Sequence, residues 1–428
     1  MTAPASHRHV LAASFVGTTI EFYDFYIYAT AASLVFGEIF FPQSSPAVSQ
    51  MAAFATLAVA FFARPVGAIA FGHFGDRIGR KSTLVASLLT MGISTTLIAV
   101  LPTYASAGWW APLALCVLRF GQGFGLGGEW GGAALLAVEN APPGWRARYG
   151  MCPQLGAPAG FILANGLFLL LGLWLTPAEF AAWGWRLPFA ISAVLVVLGL
   201  WIRLKIAETP EFAASLEEQA PPSVPLAEVF RRHGGALIGG TLGAIACFAL
   251  YYIATAFALG YGTKTLGYSM QAMLSVQLGA ILFMAVGIYC SAWAADCRFD
   301  ERRVLAGGCV AVVLAGFAMA PMLESGSIGL VFAYLSIALL LMGFVYGPLG
   351  AWLPGLFPPR VRYTGVSMAF NVAGVLGGGL TPLAAQALAT EYGLWAVGLY
   401  ASAAAALSLA ALLALGRRRA DPVAVLEV

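Results

Sequence analysis

Gly72-His73-Phe74-Gly75-Asp76-Arg77-Ile78-Gly79-Arg80-Lys81 is a short polar break between two apolar runs, at about 47 to 71 and 82 to 101. Its glycines let two helix ends approach closely. Asp76 is placed to accept hydrogen bonds from a neighbouring helix N-terminus, or to pair with an arginine, when this face of the molecule is closed. Both flanking runs are long enough to cross a bilayer, for which about 20 apolar residues suffice. The stretch reads as the tight loop of a membrane hairpin.

The same alternation continues along the whole chain. Further apolar runs at about 11 to 36, 109 to 138, 150 to 175 and 184 to 204 complete a first set of six. A second six fall at about 234 to 262, 270 to 295, 304 to 323, 327 to 353, 363 to 389 and 393 to 416. Of the 428 residues, 60% are hydrophobic and 10% charged, against roughly 45 to 50% and about 25% in soluble domains. In hydrocarbon a backbone satisfies its own hydrogen bonds only as a helix or a closed barrel, and these runs lack a barrel's alternation. An all-α membrane protein with twelve transmembrane helices is therefore expected. The composition excludes a soluble enzyme, a disordered chain and a nucleic-acid binder, since the net charge of +3 is small and falls between the apolar runs. The six cysteines show no metal-type or redox-type spacing, so neither a metal site nor a disulfide framework is expected. His7-Arg8-His9 before an apolar run resembles the start of a signal peptide. Glu21 and Asp24 interrupt that run, however, and no small-x-small site precedes them, so a retained first span is expected.

Eighteen of the 22 lysines and arginines lie on one side of the spans; Arg186 and Lys264 lie on the other, and Arg64 and Arg119 fall within spans. This bias places both termini in the cytoplasm. The polar stretch 203–233, with Glu208, Glu211, Glu217, Glu218 and Pro221-Pro222, reads as a cytoplasmic linker. It would join an N-terminal six-helix bundle, 1–202, to a C-terminal one, 234–428, that ends in a short cytoplasmic tail. An internal repeat supports the division. Pro142-Pro143 followed by Arg146, Arg148, Tyr149 and Gly150 recurs about 215 residues later as Pro358-Pro359 followed by Arg360, Arg362, Tyr363 and Gly365. Asp76 is echoed by Asp296. Such repeats are characteristic of secondary transporters.

The opening loop resembles the signature of the major facilitator superfamily, a glycine shortly before Asp-Arg-x-Gly-Arg. Other stretches resemble its metabolite:proton symporter subfamily: Glu21-Phe22-Tyr23-Asp24-Phe25-Tyr26, Arg64-Pro65-x-Gly67, Arg119-Phe120-Gly121-Gln122-Gly123 with Gly127-Gly128-Glu129-Trp130, Trp183-Gly184-Trp185-Arg186-x-Pro188-Phe189, Glu208-Thr209-Pro210-Glu211-Phe212, and Leu356-Phe357-Pro358 with Arg362-Tyr363-Thr364-Gly365. The resemblance covers nearly the whole chain. It implies two six-helix bundles around a central cavity and proton-driven import of carboxylates such as 2-oxoglutarate, citrate or shikimate, or of zwitterions such as proline and betaine. Two positions depart from the pattern. Gly355 stands where the family carries an acidic residue, and Asp296-Cys297-Arg298-Phe299-Asp300-Glu301-Arg302-Arg303 is a degenerate copy of the first loop.

Charges inside the spans carry the expected mechanism. Glu21 and Asp24 share a face of the first span, and Arg119, Gln122 and Glu129 fall in the fourth, the last two seven residues apart on one face. Such charges cost several kcal/mol in a bilayer unless they are paired or face water, so they read as functional. The spans of the second half carry no Asp, Glu, Lys or Arg. Three carboxylates against the guanidiniums of Arg64 and Arg119 leave one carboxylate over, and a buried carboxylate without a partner tends to bind a proton. Glu21, Asp24 and Glu129 are the candidate proton-coupling residues. Arg119 serves either as counter-ion or as bidentate donor to a substrate carboxylate; the alternative is a static ion-pair lock. Arg64, nearer the arginine-rich end of its span, reads as structural.

Candidate substrate contacts are Arg119, Gln122, Tyr28, Gln154, Tyr251 and Tyr252. The tyrosines of the seventh span are chosen because a hydroxylated ring can hold an organic acid or a quaternary amine. Asn165, Gln277, Tyr334, Tyr346 and Asn371 either line a cavity or bond between helices. Gly72, Asp76, Arg77, Gly79, Arg80 and Arg362 are the candidate gating residues.

Gly123, Gly125 and Gly128 spell a dinucleotide-type motif, but inside an apolar helix they read as part of a packing ladder, Gly123, Gly127 and Gly131. None of the three lysines follows a glycine as a phosphate-binding loop requires, so nucleotide coupling and cofactors are not expected. The four histidines lie in or beside cytoplasmic segments, which argues against a membrane-embedded enzyme, and no charged ring suggests a channel. The expected protein is a monomeric proton-coupled symporter of a small organic acid in a bacterial inner membrane. Its partners would be its substrate, protons and lipid, with no nucleic acid or nucleotide. A zwitterion symporter is the alternative; the twelve residues after Gly416 are too few for the coiled-coil tail of some osmolyte-carrying relatives.

Overall fold

The computed structural model describes residues 7–78, 80–205 and 225–416; for 72–84 and a few other positions it describes the backbone alone. All regular structure among the described residues is helical. The first span, His7–Ala31, passes through a π-turn, Ala32–Phe36, into Gly37–Phe40. The second is Pro46–Ile78, the third Arg80–Ile98, the fifth Arg146–Trp174 and the sixth Arg186–Lys205. The fourth comes in two pieces, Trp110–Leu126 and Glu129–Glu139. The seventh, Gly234–Tyr252, passes through a matching π-turn, Ile253–Phe257, into Ala258–Lys264. The eighth is Met270–Cys297, the ninth Glu301–Phe317 continued by Met319–Leu323, and the tenth Ile328–Tyr346 followed by Leu349–Trp352. The eleventh, Arg362–Gly374, turns through Val375–Gly379 into Thr381–Tyr392, and the twelfth is Leu394–Ala414. Of the expected linker, the helix Pro225–Arg232 is described and 206–224 lies outside the described residues.

Seven of these helices are long and apolar enough to cross a membrane, or eight if Pro177–Gly184 and Arg186–Trp201, bent by 42°, form one span. The others fall short for local reasons. The first carries Glu21 and Asp24, the third offers only Val85–Ile98 as an apolar segment, and the fourth and ninth are interrupted after 17 residues.

The break in the fourth span corrects the sequence reading of one continuous helix. Gly123 and Gly127 press so closely on the second span that a Cβ would strike the backbone of Ala60 and of Arg64 to Ala68. The helix stops there, and two carbonyls at the break are taken up by the eleventh span: Asn371 Nδ2 donates to Gly127 O (2.6 Å) and Tyr363 Oη to Gly128 O (2.8 Å). Gln122 and Glu129 therefore belong to different helices. Glu129 opens the second piece, where the positive end of the helix dipole favours a carboxylate.

The Trp-Gly-Trp-Arg stretch acquires a physical meaning. Trp185 packs edge-on against Phe36 and Phe189, which stack on each other in the first bundle, while Arg186 Nη1 donates to Ala99 O (2.8 Å) and Leu101 O (2.6 Å), satisfying carbonyls at the end of the third span.

The two bundles meet at both ends. At the arginine-rich end Asp296 accepts from the main-chain N–H of Ala147 (3.0 Å) and Arg148 (2.9 Å) and from Arg148 Nε (2.9 Å). That is the helix-terminus and arginine pairing expected of Asp76, made here from the last turn of the eighth span. Arg362 lies 3.6 Å from Glu139, and Gly150 packs on Gly350. At the opposite end Lys264 Nζ donates to Gln50 Oε1 (2.7 Å), Gln271 Nε2 to Gly172 O (2.7 Å) and Ser33 Oγ to Ala256 O (2.9 Å). Among the described residues, contacts between the bundles close both ends, the arrangement of an occluded state.

Candidate transport site

The first span separates two groups of functional side chains. On one face Asp24 and Tyr28 turn into the N-terminal bundle. Asp24, fully buried, accepts a hydrogen bond from Ser192 of the sixth span at Oδ1, and its Oδ2 has no hydrogen-bond partner. The Tyr28 hydroxyl is bonded to Thr56 of the second span, and the Tyr28 ring lies 3.6 Å from the Arg119 guanidinium.

Arg119 is also fully buried. Its Nη1 donates to Gln122 Oε1, and Gln122 Nε2 donates in turn to the main-chain carbonyl of Asp24 (3.0 Å). Arg119 Nε and Nη2, the side-on edge that grips a carboxylate, have no hydrogen-bond partner. Asp24 and Arg119 form no ion pair with each other. Glu21 and Glu129 are buried as well.

Arg64 belongs with this group. Its guanidinium lies 4.7 Å from the Phe25 ring and 5.0 Å from the Phe61 ring, and Arg119 approaches Phe25 to 5.0 Å, so one ring stands between two guanidiniums. Phe25 and Phe61 pack edge-on against Tyr252 of the seventh span, at 6.5 Å and 5.5 Å. Arg64 therefore sits toward the second half, and its Nε has no hydrogen-bond partner.

On its other face the first span meets the opposite bundle. Tyr26 stacks on Tyr251 at 5.2 Å, while Thr30, within its own bundle, donates to Asn165 Oδ1 of the fifth span (2.6 Å). Between the halves lies a small cavity of about 10 Å³, lined by Tyr26, Thr30 and Phe161 on one side and Tyr251, Thr255 and Gln277 on the other. That is room for about one water molecule, far below the roughly 300 to 1,000 Å³ of ligand pockets, as suits an occluded state.

Gln154 is engaged elsewhere: it accepts from Trp130 Nε1 (3.0 Å) and donates to Tyr346 O (3.1 Å), bridging the halves beside the stacked rings of Trp130 and Phe370. Of the gating candidates, Arg362 stands at the arginine-rich end, where it also donates to Phe357 O (3.2 Å). Gly79 lies outside the described residues, and of Gly72, Asp76, Arg77 and Arg80 only the backbone is described.

The model of the sugar (and other) transporter family matches residues 9–224. The chain belongs to that family. This transporter is 50% identical over 412 residues to the inner membrane metabolite transport protein YhjE of Escherichia coli K12, covering 95% of this chain and 94% of the relative. It is 41% identical to the shikimate transporter of the same organism, covering 90% and 88%. To that organism's proline/betaine transporter it is 32% identical, covering 88% and 76%. Among solved structures, the partially occluded inward-open conformation of the E. coli xylose transporter XylE superposes with a TM-score of 0.74 at 13% identity, covering 97% of this chain and 98% of that one. A D-xylose-proton symporter matches with a TM-score of 0.74 at 17% identity, covering 96% and 98%. The fold is that of the major facilitator superfamily, twelve helices in two bundles, and the chain is a transporter, not an enzyme.

Sequence reasoning missed Phe25, Ser192 and Thr56. Phe25 lay within a quoted motif, but an aromatic residue in an apolar helix is the commonest of sights. Ser192 and Thr56 gain their meaning only when the fold sets the sixth and second spans against the first.

Proposed function

We propose that this transporter couples uptake of a small organic acid to protons across a bacterial inner membrane, acting as a monomer with both termini cytoplasmic. One observation carries the reading: Asp24 and Arg119, both fully buried and linked through Gln122, leave each other unpaired, with Asp24 Oδ2 and two guanidinium nitrogens unused. At such a site a proton and an ion pair are alternative ways to satisfy one carboxylate. With Asp24 protonated, Arg119 stays on Gln122 and Tyr28. When the proton leaves, Arg119 turns to the carboxylate and pulls on the first span. Arg64, between Phe25 and Phe61 and next to Tyr252, takes the substrate's carboxylate where the bundles meet.

The bundles, 1–202 and 234–428, then rock about the cavity. The Asp296–Arg148 and Arg362–Glu139 contacts open on the cytoplasmic side and the Lys264–Gln50 contact on the external side. The relatives named for shikimate and for unspecified metabolites support a small polar substrate, and the xylose-proton symporters support proton coupling by likeness of fold. A zwitterion is the second reading, favoured by the proline/betaine relatives and by the Tyr26–Tyr251 stack, whose faces suit a cationic end.

A thermal-shift screen of organic acids and betaines on the purified protein, followed by uptake into proteoliposomes, tests this. Acid uptake that a protonophore abolishes supports the proposal; acid uptake indifferent to the protonophore counts against it.

A further inference from the structure

Gln277 of the eighth span is almost wholly buried, and both of its N–H groups are committed: Nε2 donates to Ala254 O (3.1 Å) and Thr255 O (2.8 Å). These carbonyls belong to the π-turn Ile253–Phe257 of the seventh span, where the regular helical ladder is interrupted. Turning the amide over would lose both bonds, so the orientation of its oxygen is fixed. That oxygen, Oε1, has no hydrogen-bond partner, and Gln277 lines the cavity between the bundles.

The neighbouring hydroxyls do not supply the missing donor. Thr30 gives its proton to Asn165 Oδ1 (2.6 Å) and Thr255 gives its own to Tyr251 O (2.6 Å). The Tyr251 hydroxyl, in the same cavity, is likewise without a hydrogen-bond partner. The cavity thus presents one fixed acceptor and, beside Tyr26, the Tyr251 hydroxyl. A water molecule can answer both, and a ligand that replaces the water must restore its bonds or lose affinity.

We infer that Gln277 Oε1 and the Tyr251 hydroxyl form a subsite for a hydroxyl group on the transported molecule, which donates to Gln277 and accepts from Tyr251. The inference rests on the reading above that an organic acid occupies this cavity, and it narrows that class to hydroxylated acids. A quaternary amine has no proton to give Gln277, so betaines are disfavoured. An acid of the same skeleton without the hydroxyl leaves a buried acceptor unanswered. Sites built to bond a substrate hydroxyl reject analogues that lack it far more strongly than apolar pockets reject a missing methylene.

The test compares 3-hydroxycyclohexanecarboxylate, cyclohexanecarboxylate and glycine betaine as ligands of the purified full-length protein by calorimetry. The hydroxy acid should bind the wild-type protein at least about tenfold more tightly than its deoxy partner. Gln277→Met, close in volume but without an acceptor, should bring the two within about threefold, and Tyr251→Phe, which keeps the ring stack, should lose part of the preference. The wild-type comparison stands by itself should a variant fail to fold. Equal binding of the two acids by the wild-type protein would overturn this inference and leave the acid reading intact. Binding of neither acid, or tighter binding of glycine betaine, would overturn the acid reading and this inference with it.

Discussion

Asp24 and Arg119 are joined through Gln122, yet their charged ends do not meet: Gln122 holds Arg119 Nη1 with one end and the backbone of Asp24 with the other. Gln122 therefore keeps the guanidinium off the carboxylate. Gln122→Leu should let Arg119 swing to Asp24 and form the static pair. Uphill uptake in proteoliposomes should fall at least about tenfold while the protein remains folded. Unchanged uptake would show that Gln122 does not set the spacing.

Arg64 and Arg119 flank the same ring but face different neighbours, so lysine substitutions should separate their roles. Arg64→Lys loses the planar fork at the interface and should raise KM by about tenfold with proton coupling retained. Arg119→Lys should instead uncouple uptake from the pH gradient with less change in KM. Uptake kinetics with and without an imposed gradient distinguish the two, and identical phenotypes would argue against divided roles.

The occluded state depends on Asp296, whose carboxylate takes three hydrogen bonds from the start of the fifth span. Charge-assisted bonds of this kind contribute roughly 1.5 to 3 kcal/mol each. Asp296→Ala should shift the population toward opening at the arginine-rich end by at least about tenfold, read as a longer distance between spin labels placed across that face. An unchanged distance distribution would mean that the gate is held elsewhere.

Gly350 meets Gly150 across the same end, where a Cβ on Gly350 would stand 2.6 Å from Gly150 O. Gly350→Val cannot fit without parting the bundles. Net uptake should drop at least about tenfold, with the spin-label distance lengthened as in Asp296→Ala. Wild-type uptake from this variant would show that closure does not require the contact.

Much of this was legible in the sequence, and the reasons it was or was not are physical. Helix count and fold followed from apolar run length, because a bilayer leaves the backbone few alternatives. The buried charges announced themselves because hydrocarbon makes them costly. What stayed hidden depended on angle and depth. Gln122 and Glu129 read as one helix face because glycines are common in packed membrane helices, so Gly127-Gly128 does not by itself settle a break; close contact with the second span accompanies it. Arg64 read as structural from its position along its span, whereas its direction toward Phe25 and Tyr252 emerges only once the bundles are packed. Asp296 fell in a stretch that read as a degenerate copy of the first loop, yet from the last turn of the eighth span it makes the contact.

Proton coupling through Asp24 is tested most directly by uptake of a bound acid into proteoliposomes with an imposed pH gradient, comparing wild type with Asp24→Asn. Wild type should accumulate the acid above equilibrium until a protonophore is added, whereas Asp24→Asn should exchange substrate across the membrane without accumulating it. Gradient-driven accumulation by Asp24→Asn equal to that of wild type would contradict a role for this carboxylate in carrying the proton.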